Sequence, residues 1–215
     1  MPTILFDEII FGPVKSRRLG ISLGVNLLPV NGKVCSFDCL YCECGLNHQH
    51  KGGKLPGAEE VTAALKVKLG KLREDKITPD VITFAGNGEP TLHPEFLKIM
   101  EETIALRNEW FPKAKVSVLS NSTTLDKPDV FKALKLVDNA IMKLDSAFDE
   151  TVRKMDRPVN ASYKVSKIVE NLKAFEGNVI IQTMFTRGSY NGESFDNTTS
   201  AEVNALVDLY KEINP

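Results

Sequence analysis

Three thiols stand four and three residues apart in Cys35-Ser36-Phe37-Asp38-Cys39-Leu40-Tyr41-Cys42. Soft thiolates this close together suit an iron-sulfur cluster or zinc. A cuboidal cluster held by three protein thiolates keeps one iron open for an exogenous ligand. The zinc reading uses Cys44 as a fourth ligand, or His48 or His50 in its place, and makes the loop structural. Structural zinc sites usually show paired C-x2-C units, which this loop lacks. All four cysteines of the chain fall between positions 35 and 44, too tight a cluster to staple distant parts of a domain. Cys44 reads as a spare thiol, and His48 and His50, beside Gln49 and Lys51, read as part of a solvated loop.

A second constellation is Gly86-Asn87-Gly88-Glu89-Pro90-Thr91. Glycines let a backbone come close to a ligand, and a carboxylate accepts hydrogen bonds from an ammonium. An ordinary strand-to-helix turn explains the same residues. Further polar groups follow in Ser120-Asn121-Ser122, Lys143-Leu144-Asp145-Ser146 and Gln182-Thr183. Each also has a structural explanation: turn chemistry for Asn121, a helix cap for Asp145, a satisfied core amide for Gln182.

The elements that must position these groups are written in the hydrophobic pattern. Apolar runs predict strands at Ile21 to Pro29, Val81 to Ala85, Val116 to Leu119, Ala140 to Leu144 and Val179 to Phe185. Between them, helical stripes run through Val61, Leu65, Leu69 and Leu72, through Phe96, Met100 and Ile104, around Val130 to Leu134, and from Val165 to Phe175 with Gly177 closing the last. A capping box, Thr199-x-x-Glu202, opens a final helix over Val203, Leu206, Val207 and Tyr210. Strands of continuous apolar character alternating with amphipathic helices predict an α/β fold with a parallel sheet, as a barrel or a doubly wound sheet. The chemistry should then sit at the C-terminal strand ends, where both motifs and the later polar groups fall.

The 215 residues read as one domain, 1–215, with the cysteine loop at about 30–45. The 27 lysines and arginines against 28 aspartates and glutamates leave a net charge of -1, which gives no footprint for non-specific nucleic-acid binding. No apolar run approaches a bilayer span and the N-terminus lacks a basic stretch followed by an apolar one, so the expectation is a cytoplasmic protein with no membrane contact.

C-x3-C-x2-C with the aromatic Tyr41 before its third cysteine resembles the signature of the radical S-adenosylmethionine (SAM) superfamily. Gly86 to Thr91 resembles that superfamily's Gly-Gly-Glu-Pro motif, in the expected order and at about the expected distance. The resemblance implies a partial parallel (β/α) barrel and a 4Fe-4S cluster on Cys35, Cys39 and Cys42, with SAM on the open iron. One electron then cleaves SAM to methionine and a 5'-deoxyadenosyl radical that abstracts hydrogen from a substrate. It further implies that Tyr41 lies near the adenine, that Gly86, Asn87, Gly88 and Glu89 receive the amino group, and that Ser120, Asn121, Lys143, Asp145 and Gln182 contact the ribose, carboxylate or adenine. An electron donor such as flavodoxin or ferredoxin belongs to the same picture, and the substrate could be a small molecule, RNA or a protein.

Phe11-Gly-Pro-Val-Lys-Ser-Arg17-Arg18-Leu-Gly20, Ser22-Leu-Gly-Val-Asn26 and Arg157-Pro158 add a narrower resemblance, to the radical SAM Fe-S oxidoreductases classed with wyosine-base (tRNA) synthetases. Those enzymes carry a second cluster, for which the single remaining cysteine here is insufficient. Arg17 and Arg18 could bind an anion or the SAM carboxylate, or sit in water. The polar stretch Thr186 to Thr199 reads as a loop over the active site. The chain stops where a sixth barrel strand would begin, which predicts an open sheet edge covered by a partner, a homodimer or further residues. Two readings from other classes stand beside the enzyme: a zinc-stabilised binding module and an Fe-S electron-transfer protein.

Overall fold

The computed structural model describes residues 3–49 and 52–215; His50 lies outside them. Two strands open the chain, β1 (Ile10–Ser16) and β2 (Gly20–Val25), paired antiparallel around a turn at Arg17 to Leu19. The remaining order is α1 (Ala58–Glu74), β3 (Val81–Phe84), α2 (Phe96–Trp110), β4 (Lys115–Ser120), α3 (Pro128–Leu136), β5 (Asn139–Lys143), α4 (Asp149–Met155), α5 (Val165–Lys173), β6 (Ile180–Gln182), β7 (Arg187–Tyr190), β8 (Glu193–Asp196) and α6 (Ser200–Ile213).

The main sheet runs β1-β2-β3-β4-β5-β6, and every pairing from β2 to β6 is parallel. It is an open sheet, not a closed barrel. Its five parallel strands are the five that the apolar runs predict. The stripe Val61, Leu65, Leu69 and Leu72 is buried along α1, and Ile82, Phe84, Val116, Val118 and Met142 meet the helices from the sheet in one contiguous core. Full burial of each such side chain is worth about 1.5–3 kcal/mol.

Four expectations change. The first parallel strand ends at Val25 rather than Pro29, because Asn26 turns the chain: its amide oxygen accepts from Leu28 N (3.2 Å) and its amide donates to Leu28 O (3.1 Å). The run Val179 to Phe185 contributes only Ile180–Gln182 to the ladder. Thr183 Oγ1 donates to Leu144 O (2.6 Å) and Met184 N to the Asp145 carboxylate (2.9 Å), which draws the backbone over the strand ends. Residues 186–199 are a second antiparallel hairpin, β7-β8, rather than a plain loop. The capping box forms by half: Thr199 Oγ1 accepts from Glu202 N (3.3 Å), while the Glu202 carboxylate turns inward and accepts from Ser146 Oγ (2.7 Å) and Thr151 Oγ1 (2.5 Å). The sheet ends at β6, and Ile180, Met184 and Phe185 beside that edge are exposed. Among the described residues no helix is long and apolar enough to cross a membrane.

Candidate functional site

The cysteine loop follows β2 and is stapled to the turn after β3. Val34 forms a parallel bridge with Gly88: Val34 N donates to Asn87 O (3.0 Å) and Glu89 N to Val34 O (3.0 Å). Gly88 has φ +134°, and a Cβ there would lie 1.9 Å from the Val34 carbonyl oxygen. At Gly86, with φ +149°, a Cβ would lie 2.5 Å from the Asn26 amide oxygen. The glycines thus let two loops approach each other. Asn26 also accepts from Asn87 N (3.1 Å), so the N-terminal motif serves this turn as well.

Ten of the thirteen predicted site residues line one cavity of about 200 Å³ at the C-terminal strand ends: Cys35, Cys39, Tyr41, Gly88, Glu89, Ser120, Asn121, Lys143, Asp145 and Gln182, with Phe37, Leu119 and Met184. Gly86, Asn87 and Cys42 are not on its wall. Asn87 is fully buried, its amide group bonded to Phe6 N and O (2.8 Å each) and to Pro29 O (2.8 Å). Cys42 borders a neighbouring cavity of about 690 Å³ that reaches Phe195 of β8 and shares Tyr41 with the first. Ligand sites usually hold about 300–1,000 Å³, a range that the neighbouring cavity reaches and the first does not.

Each motif thiol meets a different donor. Asn121 Nδ2 lies 3.6 Å from Cys35 Sγ, Lys143 Nζ lies 3.2 Å from Cys39 Sγ, and the Cys44 thiol hydrogen-bonds Cys42. Burial, helped by Glu89, pushes the Cys35 thiol up to about 11, and burial pushes Cys39 up despite Lys143. The Cys44 hydrogen bond, with Lys33, pulls Cys42 down to about 5 against its burial; the same bond and burial push Cys44 up. Cys44 Sγ also contacts Gly86 O at 3.5 Å.

Glu89 is buried and braces two turns: Thr91 N (3.1 Å) and Thr91 Oγ1 (2.6 Å) donate to one carboxylate oxygen, Asn121 N (2.6 Å) to the other. Burial raises its pKa, opposed by these bonds. Asn121 in turn ties Ser36 to β4, its Nδ2 donating to Ser36 Oγ at 2.9 Å. Ser120 Oγ accepts from Ser122 N (3.1 Å).

The opposite wall is a buried ionic cluster. Lys143 Nζ pairs with Asp145 (3.2 Å) and Asp156 (3.0 Å) and lies 4.4 Å from the centre of the Tyr41 ring. The Tyr41 hydroxyl donates to Asp145 and, at 2.9 Å, to Asp156. Burial and the neighbouring Asp156 push that hydroxyl upward, so it stays a donor. Burial would lower Lys143, but Cys39, Asp156 and Asp145 together hold it above the lysine range. Asp156 rises to about 6, through burial and Asp145 against Lys143.

Sequence reasoning missed Asp156 and Asn197. Asp156 directly precedes the Arg157-Pro158 pair, a signal that marked the place without the residue. Asn197 Nδ2 donates to Asp145 O and Met184 O (2.7 Å each) while its Oδ1 accepts from Thr186 N (2.7 Å), anchoring the β7-β8 hairpin on the site. Arg17 and Arg18 are exposed in the β1-β2 turn, at the strand ends opposite the cysteine loop. His48 is exposed and borders a separate cavity with Asp38 and Arg157.

The donor set fits a thiolate-held cluster: three cysteines on one loop, beside a cavity walled by a lysine, carboxylates and amides. Among the described residues no group of three Cys, His, Asp or Glu converges as a single ion requires, whereas each thiolate of a cuboidal cluster meets a different iron.

Comparison with known proteins agrees. The model of the radical SAM superfamily matches residues 32–199. The UPF0026 protein MJ1312 of Methanocaldococcus jannaschii is 33% identical over 96% of this chain, and the UPF0026 protein slr1464 of Synechocystis is 30% identical over 94%. The chain spans 61% of the first and 71% of the second; a UPF0026 protein of Helicobacter pylori is likewise spanned only to 63%. Among solved structures, that of archaeal TYW1 covers 89% of this chain and is itself covered to 61%, with a TM-score of 0.51 at 16% identity, which is a likeness of fold. The chain belongs to the radical SAM superfamily, whose cofactors are a 4Fe-4S cluster and SAM, and within it to the UPF0026 proteins.

Proposed function

We propose that Cys35, Cys39 and Cys42 hold the 4Fe-4S cluster and that the adjoining cavity binds SAM for reductive cleavage. The observation that carries this reading is the meeting of the cysteine loop, the Gly86 to Thr91 turn and the ends of β4, β5 and β6 around one cavity, in a chain of this superfamily. When bound, the cluster and SAM supply an electron and a 5'-deoxyadenosyl radical able to abstract hydrogen from a substrate.

The chain's own residues orient and seclude. Lys143 presents a positive charge to the SAM carboxylate, its position fixed by Asp145, Asp156 and Tyr41. Gly88 and Glu89 face the amino group. Ser120, Asn121 and Gln182 offer hydrogen bonds to the ribose and adenine, while Phe37, Leu119 and Met184 exclude water. Gly86 and Asn87 act one layer back, shaping the turn. Residues 1–215 act as one core domain, and a partner, a second copy of the chain or further residues cover the β6 edge, where Ile180, Met184 and Phe185 are exposed.

Superfamily members need a reductant; a cytoplasmic flavodoxin or ferredoxin fits that role. The substrate is a small molecule, RNA or a protein, and the net charge of -1 weighs against RNA. The test is anaerobic reconstitution with iron and sulfide, then dithionite and SAM, with chromatography for 5'-deoxyadenosine. Formation by the parent protein and its loss in Cys39→Ala is the expected result. A cluster indifferent to SAM would leave electron transfer, and stoichiometric zinc after anaerobic preparation would overturn the reading.

A further inference from the structure

A cavity of about 620 Å³ lies where the turn after α4 meets the cysteine loop, and it shares no lining residue with the SAM cavity. The two segments are bonded through their backbones: Asp38 N donates to Asp156 O (2.9 Å), Leu40 N to Met155 O (3.0 Å) and Val159 N to Ser36 O (2.9 Å). Asp38, Asn47, His48, Arg153 and Arg157 supply polar groups to the wall.

The charges on that wall do not cancel. Asp38 is the one acidic residue lining it, and its carboxylate already meets Arg157 (3.2 Å) and, from behind, Lys33 (3.9 Å). Asp149 and Glu150 on α4 are paired with Lys164 and Lys154 (2.7 Å each), so neither answers Arg153. Two polar atoms of the wall, Arg157 Nη1 and Asn47 Oδ1, are buried with no hydrogen-bond partner among the described residues, an arrangement that is costly unless something else meets them. The rest of Arg157 is held in place, with Nη2 on Asp38 and the guanidinium carbon 4.9 Å from the centre of the Tyr190 ring. Arg153 Nη2 donates to Tyr163 O (3.0 Å), which engages one nitrogen of its fork.

We propose that this cavity is a second binding site, for the phosphate group of a small phosphorylated molecule. A dianion answers the surplus positive charge, and guanidinium forks match phosphate oxygens in pairs. The Arg157 guanidinium can turn in its own plane over Tyr190 without losing that stack, which brings Nη1 to a phosphate oxygen. A hydroxyl on the remainder of the molecule donates to Asn47 Oδ1, and the volume leaves room for that remainder beside the phosphate. The inference does not depend on the cluster or on SAM.

The experiment is isothermal titration calorimetry in chloride buffer with inorganic phosphate, ribose 5-phosphate or acetate, on the chain before and after anaerobic reconstitution. The parent is compared with Arg153→Gln, Arg157→Gln and, in the β1-β2 turn, Arg18→Gln. Inorganic phosphate and ribose 5-phosphate should bind the parent, the ester more tightly, and acetate should not. Arg153→Gln and Arg157→Gln should each weaken phosphate by about tenfold or more, while Arg18→Gln binds as the parent does. Should Arg157→Gln fail to fold without its Asp38 pair, Arg153→Gln, exposed on α4, carries the test. Absence of phosphate binding by the parent, acetate bound as tightly as phosphate, equal losses in Arg18→Gln and the cavity variants, or displacement of phosphate by SAM would each overturn the proposal. Binding is expected in both forms of the chain, so the result stands whether or not a cluster assembles.

Discussion

Replacing Gly88 by alanine should cost far more than glycine-to-alanine changes at other positive-φ positions, and the structure says why. The new Cβ would sit 1.9 Å from the Val34 carbonyl oxygen and 2.5 Å from its carbon, both backbone atoms that cannot rotate away. Relief requires the cysteine loop to part from the turn, losing Val34 N to Asn87 O and Glu89 N to Val34 O. Two such bonds are worth about 1 kcal/mol each. Holding an L-residue near φ +134° adds about 1–3 kcal/mol. The expected destabilisation is about 3–5 kcal/mol. Gly192, at φ +83° with nothing within 4 Å, isolates the backbone cost: alanine there should lose about 1–2 kcal/mol. Urea unfolding of cofactor-free protein measures both, with an unchanged denaturant slope as the check on two-state behaviour. Iron and sulfide bound per chain after reconstitution should fall for Gly88→Ala and not for Gly192→Ala. Equal losses of stability at the two positions would refute the claim that the loop-to-turn bridge needs glycine.

Three further outcomes follow from the ionic wall and the hairpin. Because the Asp156 pKa stands at about 6 in the fold against 3.8 ordinarily, its contribution is complete below about pH 3.8 and is lost as pH rises through about 6. The difference is worth about 3 kcal/mol, so urea unfolding between pH 4 and 7 should show the decline, and Asp156→Asn should flatten it; parallel curves would dismiss Asp156 as the source. Tyr41→Phe removes the donor shared by Asp145 and Asp156 and should cost about 3 kcal/mol of unfolding free energy, since bonds to charged groups are worth about 1.5–3 kcal/mol each; a loss under about 0.5 kcal/mol would contradict the geometry. Asn197→Ala should speed amide exchange in β7 and β8 by about tenfold while β3 and β4 stay protected, and uniform exchange would show that Asn197 does not anchor the hairpin locally.

The parallel strands β2 to β5 were legible because both faces of β3 and most of β2, β4 and β5 are buried, which writes each as a mainly apolar run interrupted only by small polar residues such as the buried Ser22, Thr83 and Ser117. The antiparallel strand β1 was hidden for the opposite reason: it is an edge, half-exposed, and Gly12-Pro13 interrupts it at an irregularity in its pairing. Helix α4, at seven residues, is too short to show a period. The hairpin β7-β8 carried a readable signal, Asn191-Gly192, whose φ values of +51° and +83° are those of a tight hairpin turn. Its strands are polar and mostly exposed, so only the turn could have given it away.

The site divides along a different line. Motif spacing located the residues on the cavity wall because those residues follow strand ends, which a parallel sheet gathers on one side. It could not separate groups that face the cavity from groups that hold the wall up. Asn87 belongs to the second kind, since both ends of its amide are bonded to the N-terminal segment and to Pro29. Glu89 belongs to both, open to the cavity while its two oxygens tie Thr91 and Asn121 together. Asp156 escaped because its partners, Tyr41 and Lys143, are 115 and 13 residues away in sequence, and a buried aspartate at the end of a short helix looks like any other until they are placed beside it. The cysteine spacing points to thiolate chemistry, then, but the pairing of loops through Val34, Glu89, Asn121 and Asp156 gathers the candidate residues in one place, and those pairings exist only after folding.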